Sequence, residues 1–355
     1  MDRIKELKSR FKPNNIDCFL ITSRNNIYYL TGFTGDAGIL FISPRKVKLI
    51  TDYRFQGEVV DRVQNAEVCL TKKKYIEELA TLRVIKRKER VGFESKYVPY
   101  NLYWEIRKKF NWLKFKSFDS FVEDLRLRKS GDEIENIKKA CKIADKAFTE
   151  VLGYIKEGVR EIEIAAELEY KMKKLGGEKP SFDTIVASGF RSAIPHGTAS
   201  DKKLKKGEFI TIDFGTYYNG YASDTTRTVF LGTPTLRDKK IYNTVYYAQK
   251  NAREATEEGV KLKVLDKIAR DYIKENGYGK YFTHSLGHGV GLDVHEAPII
   301  SYRNNNGIAE KGMVFTIEPG IYIPDYQGTR IEDTVAILDG RVEVLTNLER
   351  ELIVL

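Results

Sequence analysis

Two aspartates, Asp213 and Asp224, flank an Asn219-Gly220 dipeptide. Asn-Gly is the strongest short hairpin signal and favours a two-residue type I′ loop. With that loop, Tyr218 faces Tyr221, Asp213 faces Thr226 and Gly215 faces Asp224. Asp224 then shares a sheet face with Asp213 as a diagonal neighbour, roughly 7–8 Å away between backbones. Asp213 interrupts the apolar run Phe209-Ile210-Thr211-Ile212-Asp213-Phe214, although aspartate is a poor strand former. A buried carboxylate is costly unless it is partnered. Arg227 could form a salt bridge, but it adjoins Thr226 and so points to the opposite face. Two convergent carboxylates fit a metal ion better than one arginine does.

The second half of the chain supplies a complement. Glu318 follows the apolar strand 313–317, and Glu332 and Asp333 lie in Arg330-Ile331-Glu332-Asp333-Thr334, with a turn at 324–328 between them. Pro319 blurs the register, and spacing alone does not choose Glu332 over Asp333. All four histidines fall between His196 and His295, three of them (His284, His288, His295) within twelve residues. Glycines at 287, 289 and 291 argue against a helix and permit close backbone approach. A phosphate loop would need a helix after it, and a helical zinc pair is disfavoured by the same glycines. One histidine feeding a carboxylate-rich site fits best. Four carboxylates and a neutral imidazole carry a formal charge of −4, which two divalent cations balance. The oxygen-rich donor set favours Mn²⁺, Co²⁺ or Fe²⁺ over a lone structural zinc.

These residues need elements to position them. At 355 residues and 42% apolar content, the expected organisation is two domains with sizeable cores. Residues 1–125 read as an α/β domain, with strands at 18–22, 38–42, 47–51 and 90–93 and helices near 3–11, 53–64, 75–88 and 100–110. A polar boundary follows, and Ser130 with Glu133 forms an S-x-x-E capping box. Within 126–355, apolar residues from Ile134 to Ile155 at steps of three and four give an amphipathic helix. A second helix near 160–175 ends at Gly176-Gly177. Strands 209–214 and 225–231 come next, then helices near 236–257 and 262–275, the histidine segment, and strands 313–323 and 329–338. Each half reads helix, helix, histidine segment, hairpin: a pseudo-symmetric α+β domain.

The net charge of +10 is spread along the chain, and no basic-aromatic nucleic-acid module is present. No nucleic-acid partner is expected. The N-terminus lacks an apolar signal region, and no apolar run approaches a membrane span. Three scattered cysteines, Cys18, Cys69 and Cys141, fit a reducing cytoplasm.

Seven strings carry a specific resemblance: Ile185-Val-Ala-Ser-Gly189, Ser192-Ala-Ile-Pro-His-Gly197, Ile212-Asp-Phe-Gly215, Ser223-Asp-Thr-Thr-Arg-Thr228, Gly287-His-Gly-Val-Gly-Leu-Asp-Val-His-Glu296, Thr316-Ile-Glu-Pro-Gly-Ile-Tyr322 and Arg330-Ile-Glu-Asp333. In these the sequence resembles the creatinase/methionine-aminopeptidase superfamily, and most of all its Xaa-Pro branch, the aminopeptidases P and prolidases. Weaker likeness extends into the first domain at Tyr29-Leu-Thr-Gly-Phe-Thr-Gly35. The resemblance implies a pita-bread catalytic domain preceded by a smaller creatinase-like α/β domain, and a homodimer. It implies Asp213, Asp224, His288, Glu318 and Glu332 as ligands of two divalent ions per subunit, Mn²⁺ or Co²⁺ foremost, with Fe²⁺ and Zn²⁺ as further candidates. Asp224 and Glu332 would bridge the ions. Glu318 would double as base, and His196, His284, His295 and Arg330 match substrate-contacting or supporting positions. The expected substrate is a proline-containing peptide, cut at the Xaa-Pro bond. Ser301-Tyr302-Arg303 tilts the reading to an Xaa-Pro aminopeptidase, with an Xaa-Pro dipeptidase as the alternative and a non-catalytic binding protein on the same fold as a third reading. Phe182, Tyr217, Tyr218 and Tyr221 are candidates for a proline pocket, each against a plain packing role.

Overall fold

Short strands with an apolar centre build the first sheet of the chain. The computed structural model describes residues 2–355, which form two compact units divided between Arg126 and Leu127. In the first unit the strands are β1 (Cys18–Ile21), β2 (Ile39–Ile42), β3 (Val47–Asp52), β4 (Glu67–Thr71), β5 (Arg90–Glu94) and β6 (Lys114–Phe118). They form one six-stranded sheet in the order β4-β3-β2-β1-β5-β6. Only β2 runs antiparallel to its neighbours. The helices are α1 (Arg3–Ser9), α2 (Arg24–Thr31), α3 (Gln56–Arg62), α4 (Tyr75–Thr81), α5 (Tyr100–Lys109) and α6 (Glu123–Arg126).

Four elements of this unit, β4, β6, α2 and α6, go beyond the sequence expectation. β4 and β6 are the sheet edges, and both carry charged residues (Glu67; Lys114 and Lys116) that blunt an edge against further pairing and hide it from a hydrophobicity scan. α2 is set by its ends: the Ser23 hydroxyl caps Asn26 N–H, and Gly32 closes the helix in the left-handed conformation. The expected helix 75–88 stops at Thr81. Beyond it Arg83 adopts positive φ, and the chain turns inward to bury Val84 and Ile85.

The second unit begins with α7 (Gly131–Val151), whose Ser130/Glu133 capping box forms as its spacing anticipates. Then come α8 (Glu161–Lys174), β7 (Ile185–Ser188), β8 (Glu208–Phe214), β9 (Tyr217–Tyr218), β10 (Tyr221–Ala222) and β11 (Thr225–Leu231). The second half follows with α9 (Leu236–Glu254), α10 (Leu262–Glu275), β12 (Gly287–Gly289), β13 (Glu296–Ile300), β14 (Val314–Ile317), β15 (Gly320–Tyr322), β16 (Gly328–Arg330), β17 (Asp333–Leu338), β18 (Arg341–Val344) and β19 (Ile353–Val354). One core packs α7 and α8 on the sheet β19-β11-β8-β7, with Phe148 stacked on Phe214 at 5.2 Å. A second core packs α9 and α10 against the sheet β13-β12-β14-β17-β18. The repeated order of elements thus becomes two helix-on-sheet halves. β19 returns from the far end of the sequence to pair in parallel with β11, closing the first sheet.

Candidate metal centre

The first hairpin has the register that Asn-Gly dictates. Asn219 and Gly220 both take positive φ, Tyr221 pairs with Tyr218, and Thr226 pairs with Asp213. The ladder is interrupted between the β8/β11 and β9/β10 pairs. There Gly215 passes so close to Ser223 that a Cβ would stand 2.0 Å from its carbonyl oxygen. Asp224 lies in this interruption and is buried.

The second hairpin is interrupted in the same way. β14 pairs with β17 as far as Ile317 opposite Asp333, and β15 with β16 from Gly320 opposite Arg330. Glu318 and Glu332 occupy the gap. A residue outside a ladder is free to aim its side chain off the sheet's alternation, so each gap delivers carboxylates to the space between the hairpins.

Thr226 joins the two. Its carbonyl accepts Glu332 N–H at 3.1 Å, its hydroxyl donates to Glu332 Oε2 at 2.8 Å, and the same hydroxyl accepts Arg330 Nε–H at 2.9 Å. Thr334 Oγ1 donates to the Asp224 carbonyl at 2.8 Å. Sequence reasoning did not single out Thr226, although its place two residues from Asp224 on the same face was a usable signal.

The structure brings one potential ligand atom each of Asp224, His288 and Glu332 within 4.8 Å of one another. His288 Nε2 lies 3.6 Å from Asp224 Oδ2 and 3.3 Å from Glu318 Oε1. Its Nδ1 faces the Gly289 carbonyl at 3.1 Å, so Nδ1 carries a proton and Nε2 faces the carboxylates. Close packing needs the glycines here, since a Cβ on Gly287 would stand 2.0 Å from the Thr316 carbonyl oxygen. Asp213 pairs with Arg330 Nη2 at 2.7 Å rather than with Arg227. Its Oδ1 and Glu332 Oε1 are buried without a hydrogen-bond partner among the described residues.

Asp333 turns the other way. It accepts hydrogen bonds from Arg227, Gln249, Arg253, Thr346 and Arg350. Asp333 is thus saturated by cations and donors, whereas Glu332 lies with Asp224 and His288.

Around the cluster, Tyr322 connects two of the remaining residues. Its hydroxyl accepts from Arg330 Nη1 at 2.7 Å and meets His284 Nε2 at 3.0 Å. Arg330 also donates to the Pro195 carbonyl at 3.1 Å, anchoring the residue before His196. His196 and His295 are exposed, and the His295 ring centroid is 4.1 Å from that of His288. Of the aromatic candidates for a proline pocket, Tyr221 is buried and donates to Glu133 at 2.8 Å, a packing role. Tyr217 and Tyr218 lie beneath Lys179 and Lys139.

The electrostatics follow from crowding. Burial, and then the neighbouring carboxylates, push Asp224 and Glu332 well above the usual carboxylate range. Burial also raises Asp213, against the opposing pull of Arg330. Burial pushes Glu318 up as well, but the hydrogen bond and charge of His288, together with His284 and Arg330, outweigh that and hold it at about 2. Burial is overcome at His288 by Glu318, which raises its pKa. Burial lowers His284 and His295, so both are neutral at pH 7.

This fold and cluster place the chain among known proteins. Residues 135–339 match metallopeptidase family M24, and residues 3–128 match the creatinase/prolidase N-terminal domain. The chain belongs to metallopeptidase family M24, with the pita-bread catalytic domain and creatinase-like N-terminal domain of that group. It is 44% identical to an Xaa-Pro dipeptidase of Pyrococcus horikoshii over 352 residues, 99% of each chain. An Xaa-Pro dipeptidase structure from Bacillus anthracis is 41% identical with a TM-score of 0.96, covering 100% of this chain and 99% of that one. An X-Pro aminopeptidase structure from Thermotoga maritima is 42% identical with a TM-score of 0.91, covering 100% of both.

Proposed function

We propose that this protein is a dinuclear metallopeptidase that hydrolyses Xaa-Pro dipeptides. The observation that carries the reading is the meeting of Asp224, His288 and Glu332 within 4.8 Å, with Glu318 3.3 Å from His288, while Asp213 and Glu332 each keep a buried carboxylate oxygen without a hydrogen-bond partner among the described residues. Asp213 and Glu318 complete the proposed set of five ligands. Arg330 offsets only one of the four carboxylates. The remainder exceeds what a single divalent ion balances, which supports two. The donor set suits Mn²⁺ or Co²⁺. Bound there, divalent ions supply Lewis acidity, lowering the pKa of water and polarising a carbonyl.

The protein's own groups supply the rest. Glu318, held ionised by His288 and by a 3.1 Å hydrogen bond from Thr316, is placed to take a proton and pass it to the prolyl nitrogen. His295 and His196, exposed at the rim, orient the substrate and steady the oxyanion that develops during attack. Arg330 and Tyr322 fix Asp213 and His284 in place. The resemblance extends the reading to a homodimer in the cytoplasm. Among the described residues no helix is long and apolar enough to cross a membrane.

The relatives named as dipeptidases favour the dipeptide reading over the aminopeptidase one that Ser301-Tyr302-Arg303 suggested. The aminopeptidase reading keeps a specific support in the Thermotoga maritima structure. An Xaa-Pro dipeptide assayed beside an Xaa-Pro-Yaa tripeptide, with Mn²⁺ or Co²⁺, separates them. Cleavage of the dipeptide is expected. Cleavage of the tripeptide alone would shift the assignment to an aminopeptidase. Cleavage of neither by a metal-loaded protein would leave a binding protein on the same fold.

A further inference from the structure

The loop 291–296 carries His295 to the rim of the cluster, and one carboxylate organises it. Glu296 Oε2 accepts Asp293 N–H at 3.3 Å, and its Oε1 lies 2.7 Å from Lys129 Nζ. The carboxylate fills the space that a side chain at 291 would need, since a Cβ on Gly291 would stand 2.3 Å from Oε1. Gly291 N–H donates to the Asp293 carbonyl at 3.0 Å, and the Gly291 carbonyl accepts Ala222 N–H at 2.8 Å. The loop is thereby docked on the first hairpin two residues before Asp224.

Lys129 and Glu296 are only 2% and 7% exposed. Desolvation largely offsets the attraction of such a pair, so stability is a weak reason to have it; fixing one arrangement is a better one. Lys129 is itself well rooted. Its N–H donates to the Gly312 carbonyl at 2.7 Å, and the next residue caps α7. In the first turn of α7, Glu133 accepts the Tyr221 hydroxyl of the first hairpin. The start of α7 therefore grips both the histidine loop and the hairpin that bears Asp224.

We propose that the buried pair of Lys129 and Glu296 is a positioning device that holds loop 291–296 in register and so places His295 beside His288 for the peptidase reaction. Lys129 acts through the loop and is a positioning residue. The inference rests on the Xaa-Pro peptidase reading, in which His295 meets the substrate.

The test uses the full chain as wild type, Lys129→Met, Glu296→Gln and the double variant, each loaded with Mn²⁺. Each single variant removes one member of the buried ion pair and lowers Tm. The double variant removes both charges of the pair, so its Tm returns toward wild type. Its kcat on an Xaa-Pro dipeptide stays down by about ten-fold or more, metal content is unchanged, and amide exchange quickens in residues 291–296. Recovery of kcat together with Tm in the double variant would overturn the inference and leave a plain stabilising pair. So would unaltered exchange in 291–296. Failure of the wild type to cut Xaa-Pro bonds would instead strike the functional reading, and the exchange measurement would still report on the pair.

Discussion

Glu332 and Asp333 are consecutive, yet their carboxylates are delivered to opposite surroundings: Glu332 joins Asp224 and His288, while Asp333 is enclosed by Arg227, Arg253 and Arg350. Burial alone would raise Asp333, but Arg227 and Arg350 hold it below the ordinary carboxylate range. One residue serves the cluster and the next serves the fold.

Substitution should separate the two. Glu332→Gln is expected to retain the fold and to lose bound metal and Xaa-Pro cleavage by more than the ~10–100-fold typical of a supporting residue. Asp333→Asn leaves buried guanidinium groups under-compensated and should cost about 3–5 kcal/mol. Urea denaturation beside metal analysis checks both. Loss of metal from Asp333→Asn at an unchanged denaturation midpoint would contradict this division.

Metal removal should destabilise the catalytic unit. Asp224 and Glu332 are driven toward protonation by burial and by neighbouring carboxylates, and cations bound there relieve that repulsion. Addition of Mn²⁺ to chelator-treated protein should raise Tm as a ligand specific to the folded state does. The rise should shrink as pH falls, because protons compete for the same oxygens. A Tm indifferent to metal at pH 7 would count against the cluster as a binding site.

Gly287 tests the close approach of β12 to β14. An added Cβ meets backbone, the Thr316 carbonyl oxygen at 2.0 Å, so the strands must part. Gly287→Ala should cost about 1–3 kcal/mol and displace His288, with a matching loss of metal affinity. Gly131→Ala, where nothing lies within 4 Å, is the control and should stay within about 1 kcal/mol of wild type. Equal effects of the two would refute the steric argument.

In the first unit, Glu94 gives a pH signature. Burial raises it from 4.5 to about 7, despite hydrogen bonds from Ser23 N–H, Thr22 N–H and Asn26. A raised folded-state pKa contributes stability that is fully present below about 4.5 and is lost as pH rises through about 7. The contribution is on the order of 3 kcal/mol at most. Thermal unfolding of the wild type followed from pH 4.5 to 8 should show this decline superposed on the titration of other groups, and Glu94→Gln should flatten it. A slope unaltered by the substitution would show that Glu94 is not its source.

Local chemistry made the first hairpin legible from sequence. Asn219-Gly220 sets a turn type, the turn sets a register, and the register puts Asp213 opposite Thr226. The capping box at Ser130 and Glu133 was readable for the same reason. Partnerships across long separations were not. Asp213 pairs with Arg330, 117 positions away, and nothing in local spacing distinguishes that arginine from Arg227. The contrast between Glu332 and Asp333 depends on arginines drawn from α9, β11 and the segment after Leu345. Edge strands β4 and β6 escaped because the charges that protect an edge also erase its apolar pattern.

The parallel strand β19 and Arg350 tie residues beyond Leu345 to both sides of the candidate centre. β19 pairs with β11, the neighbour of the strand that carries Asp213, and Arg350 holds the Asp333 carboxylate next to Glu332. A change beyond Leu345 therefore reaches the candidate centre through the sheet and through Asp333, although none of the proposed ligands lies there.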